Sequence, residues 1–596
     1  MQRQLEIQAN GLAGNLDKVW PDVRDSMWIG GDREGWERVP YWLDGFIPLA
    51  YLLDDEDMKS RAKLYVDKIV DFQKPDGWIC PNGETPIEEY DTWAVLLIAK
   101  VLTVYYECSG DERIPDVIYR IMKNYHGLLK SGRIRLFEWS EHRWYEGYIS
   151  LNFLHKHYPE DGWILELAKI LKEQGTDHSK LTEQWKRPLN RWSQDTHIVN
   201  LCMMLKFEAV SAGLLGEEYT DLAETLYAVL DRYNGTAVGT FTGDECLAGI
   251  SPIQGTELCS VVELMYSYEL LYAYTGDKKW AERLEKVSFN ALPATISEDM
   301  WSHQYCQLVN QIDCTPFKGK PIFRTNGKEA HVFGLEPHYG CCTANFGQGY
   351  PKLALSAFMR ADDGVVSAVP IPSALSFTWK GTPVQITLDT EYPFKNRFKY
   401  TVKAEKRTAM KLKIRIPSFA KNVTVNGERV AKRSMLTFRG FDAGQTVIEL
   451  SYTAEPKIAA RPYGMCTLEY GSLVFSLPIR SEWTVKEFTR QNVERKFPYC
   501  DYRIKPLSQW NRGIADREVA VEERELGDVA FSESNAPIVM KVRVCPIDWG
   551  YEDGYDTVCA KLPSDRKPTG EPQTVEFIPY GCTTLRMTEL PLIKIK

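Results

Sequence analysis

Tyr272-Ala-Tyr-Thr-Gly-Asp-Lys278 ends one apolar helical run and begins a charged one. Four earlier stretches have the same design: Tyr51-Leu-Leu-Asp-Asp-Glu-Asp57, Tyr105-Tyr-Glu-Cys-Ser-Gly-Asp-Glu112, His157-Tyr-Pro-Glu-Asp-Gly-Trp163 and Gly213-Leu-Leu-Gly-Glu-Glu-Tyr219. Each sets a short turn between an apolar or aromatic run and a polar helix start. The turns recur at about 50–60 residues, the length of one helical hairpin with its loops. Within the runs apolar residues fall at three- and four-residue intervals, as in Val261, Val262, Leu264 and Met265, the period of a helix that buries one face. Five or six such hairpins account for the first half of the chain, either stacked as an open solenoid or closed into an (α/α)6 barrel.

The pattern changes near residue 360. Lys411-Leu-Lys-Ile-Arg-Ile416 alternates with period two, as a half-buried strand does. Asn422-Val-Thr-Val-Asn-Gly-Glu-Arg-Val430 carries the Asn-Gly signal of a tight hairpin. Thr446–Leu450, Ser472–Ser476, Val539–Val544 and Thr574–Ile578 continue the series, which is β-sandwich material. Ala454-Glu-Pro-Lys457 reads as a seam between two sandwiches. The expected division is a barrel at 1–360, a jelly-roll-like sandwich at 361–455 and a second sandwich at 456–596. Within the last, 485–535 is polar, carries few strand signals, and is expected to be an excursion packing on the barrel.

A chain of 596 residues is too long for one core, which agrees with several domains. The net charge is −9 with both signs interspersed, which argues against nucleic acid or an anionic membrane as partner. No apolar stretch is long enough to span a bilayer. Met1–Asn10 lacks the apolar region of a signal peptide, so a cytoplasmic location is expected. The fourteen cysteines follow no framework spacing, and free thiols or metal ligands are expected over disulfides.

Two of those cysteines are adjacent, in Glu336-Pro-His-Tyr-Gly-Cys-Cys-Thr-Ala-Asn345, and a third lies in Gly255-Thr-Glu-Leu-Cys259. Neighbouring thiols bridge each other poorly, but both can face one metal if Gly340 lets the backbone turn sharply. Cys259, Cys341 and Cys342 with Glu257 make a tetrahedral zinc shell of sulfur and carboxylate oxygen. The spacing is not that of a finger or ribbon, so the site is expected to serve a cleft. The competing reading is a set of ordinary buried cysteines. Asp244 and Glu245 precede Glu257 in a glycine-rich loop, as carboxylates at a barrel mouth do where glycosidic bonds are cut. Aromatic–polar loops that suit a sugar pocket contain Asp44, Asp91 with Trp93, His197, and His303 with Tyr305. There is no phosphate-cradling glycine loop, no His-Glu-x-x-His helix and no Gly-x-Ser-x-Gly elbow.

The Glu257/Cys259 and Cys341/Cys342 motifs, with Tyr274–Leu292, resemble the DUF1680 proteins, glycoside hydrolase family 127, whose members include β-L-arabinofuranosidases. The resemblance runs from about Val39 into the first sandwich. It implies an (α/α)6 barrel followed by β-sandwich domains. It also implies zinc held by Glu257, Cys259, Cys341 and Cys342, with Cys341 as nucleophile. Glu245 is the matching acid/base, with Asp244 as the alternative, and His197 matches a pocket histidine. Where the arabinofuranosidases carry His-Glu-Leu-Tyr-Cys this chain has Tyr90-Asp-Thr-Trp-Ala94, and a second pocket histidine has no match around Arg143–Glu146.

The expected activity is retaining hydrolysis of a plant-glycan oligosaccharide, releasing β-L-arabinofuranose or a similar furanose; acidic pectin sugars stay open. Zinc would keep Cys341 ionised at neutral pH, where a free thiol of pKa about 8.5 is mostly protonated. Two rival readings stand beside this one. The first is a two-carboxylate glycosidase with structural zinc, adding Asp91 and Asp44 as candidates. The second is a non-catalytic carbohydrate-binding protein. The oligomeric state is left open, a dimer included.

Overall fold

The computed structural model describes residues 1–319, 322–431 and 433–594. The repeated turns have a common backbone cause. Inner helices α2 (Arg38–Leu53), α4 (Trp93–Ser109), α9 (Phe207–Leu215) and α11 (Leu258–Thr275) each end on a left-handed residue: Asp54, Gly110, Gly216 and Gly276, at φ 55°, 66°, 68° and 65°. Glycine reaches this region without steric cost, and there it closes the helix. An acidic residue then starts the returning helix in two cases. Asp55 accepts from Met58 N ahead of α3 (Glu56–Asp71), and Asp277 accepts from Lys279 N ahead of α12 (Lys278–Lys286).

The inner helices follow one another around a closed ring. After α2 and α4 come α6 (Gly147–His157), the pair α8 (Ile198–Met204) and α9, then α11, and last the short helices α13 (Cys341–Asn345) and α14 (Gly349–Leu355), which pack back on α2. Outside them lie α3, α5 (Ile114–Lys130), α7 (Gly162–Gln174), α10 (Leu222–Asn234) and α12. The sixth outer position is filled by the chain's first helix, α1 (Gln2–Asn10), against α14 and α2. The solenoid alternative is therefore replaced by an (α/α)6 barrel. Among the described residues no single helix is long and apolar enough to cross a membrane.

Each hairpin sends one charged side chain to the barrel axis, and the signs alternate: Asp44, Lys100, Glu146, Lys206, Glu263 and Lys352. None is more than 4% exposed. Lys100 lies 3.0 Å from Asp44 and 3.3 Å from Glu146, Lys206 pairs with Glu146, and Lys352 is 2.5 Å from Asp44. Gln348 joins the last two members, donating to Glu263 Oε1 at 2.9 Å and accepting from Lys352 Nζ at 2.8 Å. The Tyr266 ring faces all three ammonium groups, at 4.9, 5.4 and 3.9 Å from Lys100, Lys206 and Lys352. Burial alone would raise the Asp44 carboxyl, but Lys100 and Lys352 outweigh it and hold it below the ordinary range.

The first strand of the sandwiches is Phe358–Ala361. A six-stranded sheet runs 428–429, 421–425, 444–453, 397–404, 382–390, 373–379. It faces a four-stranded sheet ordered 435–441, 408–415, 364–367, 358–361. Alternate residues Val384, Ile386, Leu388 and Met410, Leu412, Ile414 are buried, and Ser367 Oγ meets Tyr400 Oη across the gap at 2.9 Å. Asn426 and Gly427 form the hairpin turn with φ 50° and 82°. A nine-stranded sheet built on 457–461, 465–470, 473–478, 573–579 and 538–546 follows.

The polar stretch after 480 contains more strand than the sequence suggests. Ser481–Lys486 pairs with Asp501–Pro506, and Phe488–Arg490 pairs with Val493–Arg495. Ser481–Lys486 has no buried face, so it lacks the alternation that reveals a half-buried strand. These ribbons lie on the segment leading to Cys341. Tyr502 N donates to Phe333 O at 2.8 Å, and Arg495 reaches Glu336 at 3.4 Å.

Candidate active site

A two-stranded ribbon assembles the site. β1 (Gly255–Glu257) pairs with β2 (Cys306–Leu308), and Leu258 N donates to Tyr305 O at 2.8 Å, which sets Glu257 beside Tyr305. Glu257 is the N-cap of α11, yet its side chain caps nothing, and Cys259 follows in the first turn. Cys341 and Cys342 open α13. Gly340 is ordinary in backbone (φ −81°), so the expectation that it supplies a sharp turn is corrected. The left-handed residue is His338, at φ 76°. Glycine is needed at 340 for space, because a Cβ there would lie 2.6 Å from the Trp20 ring.

One ligand atom from each of Glu257, Cys259, Cys341 and Cys342 lies within 4.8 Å of all the others. Glu257 Oε1 is 4.0 Å from Cys341 Sγ and 3.8 Å from Cys342 Sγ, and Cys259 N donates to Cys342 Sγ at 3.3 Å. Tetrahedral ligands at the ~2.0–2.3 Å of zinc bonds stand roughly 3.3–3.8 Å apart, so the donor set fits such an ion. Glu257 Oε2 is buried without a hydrogen-bond partner, as a ligand oxygen would be. The charge states agree. Burial pushes Cys259, Cys342 and Glu257 well above their ordinary values. Hydrogen bonds from Cys259 and Cys342, with help from the Arg38 guanidinium and Tyr305, hold Cys341 well below the thiol range against its burial. The groups around Cys341 thus favour its ionised form, and a divalent cation would favour that form of the other three donors.

Cys341, Glu257 and Cys259 form one wall of a cavity of about 280 Å³, with Trp36, Glu37, Arg38, Tyr41, Trp139, Arg143, Trp192, His197, Val199, Glu245, Tyr305 and Tyr339 around it. Glu245 reaches it because its strand-like neighbours are tied on both sides. Ile198 N donates to Glu245 O at 2.8 Å, and Gly243 bridges Thr256. Tyr305 Oη donates to Glu245 Oε1 at 2.7 Å and lies 3.2 Å from Cys341 Sγ. His197 Nε2 is 3.2 Å from Glu245 Oε2, and Asn326 donates to Oε1 at 3.2 Å. Asp244 turns the other way. Its carboxylate accepts from Arg324 N and Thr325 N, both at 2.9 Å, and from Thr325 Oγ1 at 2.6 Å, which makes it a loop clamp.

Among the pocket residues expected from sequence, His197 and Tyr305 line the cavity, and four others do not. Asp91 accepts from Trp93 N, Trp139 N and Ser140 N at 3.0, 2.9 and 3.1 Å, holding the turn that carries Trp139. Trp93 stands behind Arg143, its indole donating to Glu37 Oε2 at 3.0 Å. Asp44 belongs to the axial charge ring. His303 is buried below the cysteine helix, 3.1 Å from Thr343 Oγ1 and stacked on Phe346. The sequence reading missed Glu37, Arg38, Tyr41, Trp139, Arg143 and Asn326. Only the aromatic density around Trp139 and Trp144 signals this wall in the sequence.

With this geometry established, comparison with known proteins gives two matching family models. The model for the catalytic domain of GH127 β-L-arabinofuranosidases matches residues 13–354, and that for the GH127 middle domain matches 364–438. A GH127 β-L-arabinofuranosidase from Geobacillus stearothermophilus T6 superposes with a TM-score of 0.69 at 16% identity, covering 100% of this chain and 98% of its own. A second GH127 β-arabinofuranosidase gives 0.68 at 14% identity, covering 99% and 95%. A protein described as a glycoside hydrolase gives 0.70 at 15%, again covering 99% and 95%. At such identities the superpositions speak to fold alone. No curated protein sequence matches.

Proposed function

The chain belongs to the GH127 β-L-arabinofuranosidase family of glycoside hydrolases, and from that premise we propose that it releases a terminal furanose from a plant glycan with retention of configuration. β-L-Arabinofuranose is the first candidate sugar. The observation that carries the reading is the single phenol, Tyr305, that touches both Glu245 and Cys341 at the edge of the cavity. The cavity is small beside the ~300–1,000 Å³ of most ligand sites, and three Trp and three Tyr stand in its wall. Both features suit one sugar ring held at its non-reducing end.

Cys341 Sγ is the nucleophile in this reading. It bonds to the anomeric carbon while the bond from that carbon to the aglycone oxygen breaks, and Glu245 donates a proton to the departing oxygen. Glu245 then takes a proton from water. The water oxygen bonds to the anomeric carbon as the carbon–sulfur bond breaks, and the electron pair returns to Cys341. Two inversions give net retention. Tyr305 keeps the two groups in register and remains a neutral donor, because burial and the charges of Cys341 and Glu245 push its hydroxyl well above the ordinary value. His197 and Asn326 fix the Glu245 carboxylate from its other sides. Glu257, Cys259, Cys341 and Cys342 would hold the metal, zinc by the softness of the set, and bound zinc would keep sulfur ionised and make it a better leaving group.

Turnover of a panel of aryl glycosides that includes the β-L-arabinofuranoside tests the assignment, with the product anomer followed by NMR. Retention, with a sugar adduct trapped on Cys341, is expected. Inversion, or an adduct on a carboxylate, would overturn it in favour of a two-carboxylate mechanism.

A further inference from the structure

Of the residues that line the cavity, only Trp192 and Tyr339 are exposed, by 44% and 50%. They therefore mark its mouth. Single exposed aromatics are ordinary, but these two rest on the groups that hold Glu245. Trp192 packs on His197 with ring centroids 5.9 Å apart, and on Trp139 at 5.7 Å. His197 in turn meets Oε2 of Glu245. Tyr339 packs on Tyr305 at 6.0 Å, and Tyr305 donates to Oε1. One exposed ring thus stands on the Oε2 side of the carboxylate and the other on the Oε1 side.

Both rings are anchored from behind. Arg324 Nη1 donates to Asn190 Oδ1 at 2.9 Å, which ties down the loop that carries Trp192. Tyr339 packs on His338 with centroids 4.0 Å apart, and His338 is the left-handed residue of this loop. Such a backbone is uncommon outside glycine, and outliers of this kind collect where a ligand is gripped. With Glu245 as the acid, the aglycone oxygen lies over that carboxylate, and the aglycone leaves through the mouth. Its first unit then passes between Trp192 and Tyr339. Aromatic rings offer a large, rigid contact surface, and the C–H groups of a sugar ring make its faces apolar.

We propose that Trp192 and Tyr339 are specificity-determining residues that clamp the first sugar of the aglycone between their rings. This rests on the reading of the cavity as the sugar site of a furanosidase with Glu245 as its acid. The buried groups around Cys341 then select the sugar that is released, and the exposed pair selects the sugar from which it is released. A small alkyl aglycone cannot reach both rings and forfeits the contact.

Steady-state kinetics of the metal-loaded full chain test this. Methyl β-L-arabinofuranoside is compared with disaccharides that join the same sugar to O-2, O-3 or O-5 of methyl L-arabinofuranoside. The best disaccharide should exceed the methyl glycoside by about tenfold or more in kcat/KM, mainly through KM. A sugar hydroxyl is a better leaving group than methanol in any enzyme, so the change of this ratio in variants is decisive. Trp192→Ala and Tyr339→Ala should each cut the ratio by about fivefold or more, and Trp192→Phe should keep part of it. A role in folding alone would lower both substrates and leave the ratio as it was. An unchanged ratio, or a wild-type enzyme that turns over the methyl glycoside as well as any disaccharide, overturns the proposal. Saturation-transfer NMR with the same glycosides separates the clamp from the underlying reading. Contact to the aglycone ring that is lost when Trp192→Ala and Tyr339→Ala are combined, without turnover of any glycoside, would keep the clamp and sink the furanosidase. Turnover without such contact would keep the furanosidase and sink the clamp. Absence of both would sink the two together.

Discussion

Glu245 and Tyr305 are joined by a 2.7 Å hydrogen bond in which the phenol donates. The bond ties a carboxylate from the loop before β1 to a residue just ahead of β2, so the β1–β2 ribbon sets both at once. A hydrogen bond to a charged group contributes about 1.5–3 kcal/mol. Tyr305→Phe should therefore lower kcat by roughly 10- to 100-fold with less effect on metal content, as read by steady-state kinetics beside elemental analysis. An unchanged kcat would remove Tyr305 from the reaction.

Metal content is the second prediction. About one zinc per chain is expected on three thiols and one carboxylate. Cys342→Ser should lose the metal and melt earlier, because Cys342 is fully buried and has no second task. Cys341→Ser should keep part of the metal but lose turnover. A Cys341→Ser enzyme retaining more than about a tenth of the wild-type rate has lost under ~1.4 kcal/mol, too little for a nucleophile. Active protein with less than about a third of a zinc per chain would defeat the assignment of the cluster.

Glu245 is predicted to act as acid and then base. Glu245→Ala should slow glycosides with poor leaving groups far more than activated aryl glycosides, which need little protonation. Azide should partly restore the second step, because it attacks the anomeric carbon without losing a proton. Equal losses on both substrate types, with no glycosyl azide formed, would shift the role to another carboxylate.

These residues show what was legible in sequence. Turn chemistry repeats locally, so Asp54, Gly110, Gly216 and Gly276 mark the hairpins. Ring closure is a long-range fact, since the sixth outer helix is α1, more than three hundred residues from its partner α14. Glu257, Cys259, Cys341 and Cys342 could be grouped from sequence because the family resemblance rests on Glu-x-Cys and Cys-Cys, and the structure gathers them into one cluster that could hold a metal ion. Asp44 and Asp91 could not be placed, because type does not say whether a carboxylate faces a cavity, an ammonium group or a row of backbone N–H donors. The wall around Arg143 is equally hidden in the sequence, because Trp93 and Trp139, whose rings lie 4.8 and 4.4 Å from its guanidinium, and Tyr41 and Asn200, which accept its hydrogen bonds, lie far apart along the chain.

The axial ring gives a stability prediction. Removing one partner of a buried ion pair leaves the other charge uncompensated and costs about 3–5 kcal/mol. Lys352→Met should destabilise by that order, because Asp44 would keep only Lys100 and the bridge through Gln348 to Glu263 would be lost. Glu263 also holds Asn345, at 3.1 Å, on the helix that carries both cysteines. Zinc affinity, followed by competition with a chromophoric chelator, should therefore weaken with stability. A variant that melts normally would show that the ring contributes little.

The last prediction concerns acid. Burial lowers His303 to about 4 and His178 and His331 to about 3, whereas a histidine in the unfolded chain titrates near 6.5. Between those values the unfolded chain binds protons that the folded chain does not. The stability these groups confer is complete above pH ~6.5 and is lost as pH falls toward the folded values. At pH 5 the loss is on the order of 2 kcal/mol per histidine. Release of a metal bound at the cysteine cluster would also lower stability in acid, as thiolates take up protons, so wild-type melting alone does not separate the causes. His331 does, because it lies away from the cluster, stacked flat on Phe317 with ring centroids 3.9 Å apart. His331→Phe keeps an aromatic ring there and removes the titration. The fall in melting temperature between pH 7.5 and pH 5 should be smaller in this variant than in the wild type, at equal zinc content. An identical fall would mean that His331 takes no part in acid unfolding.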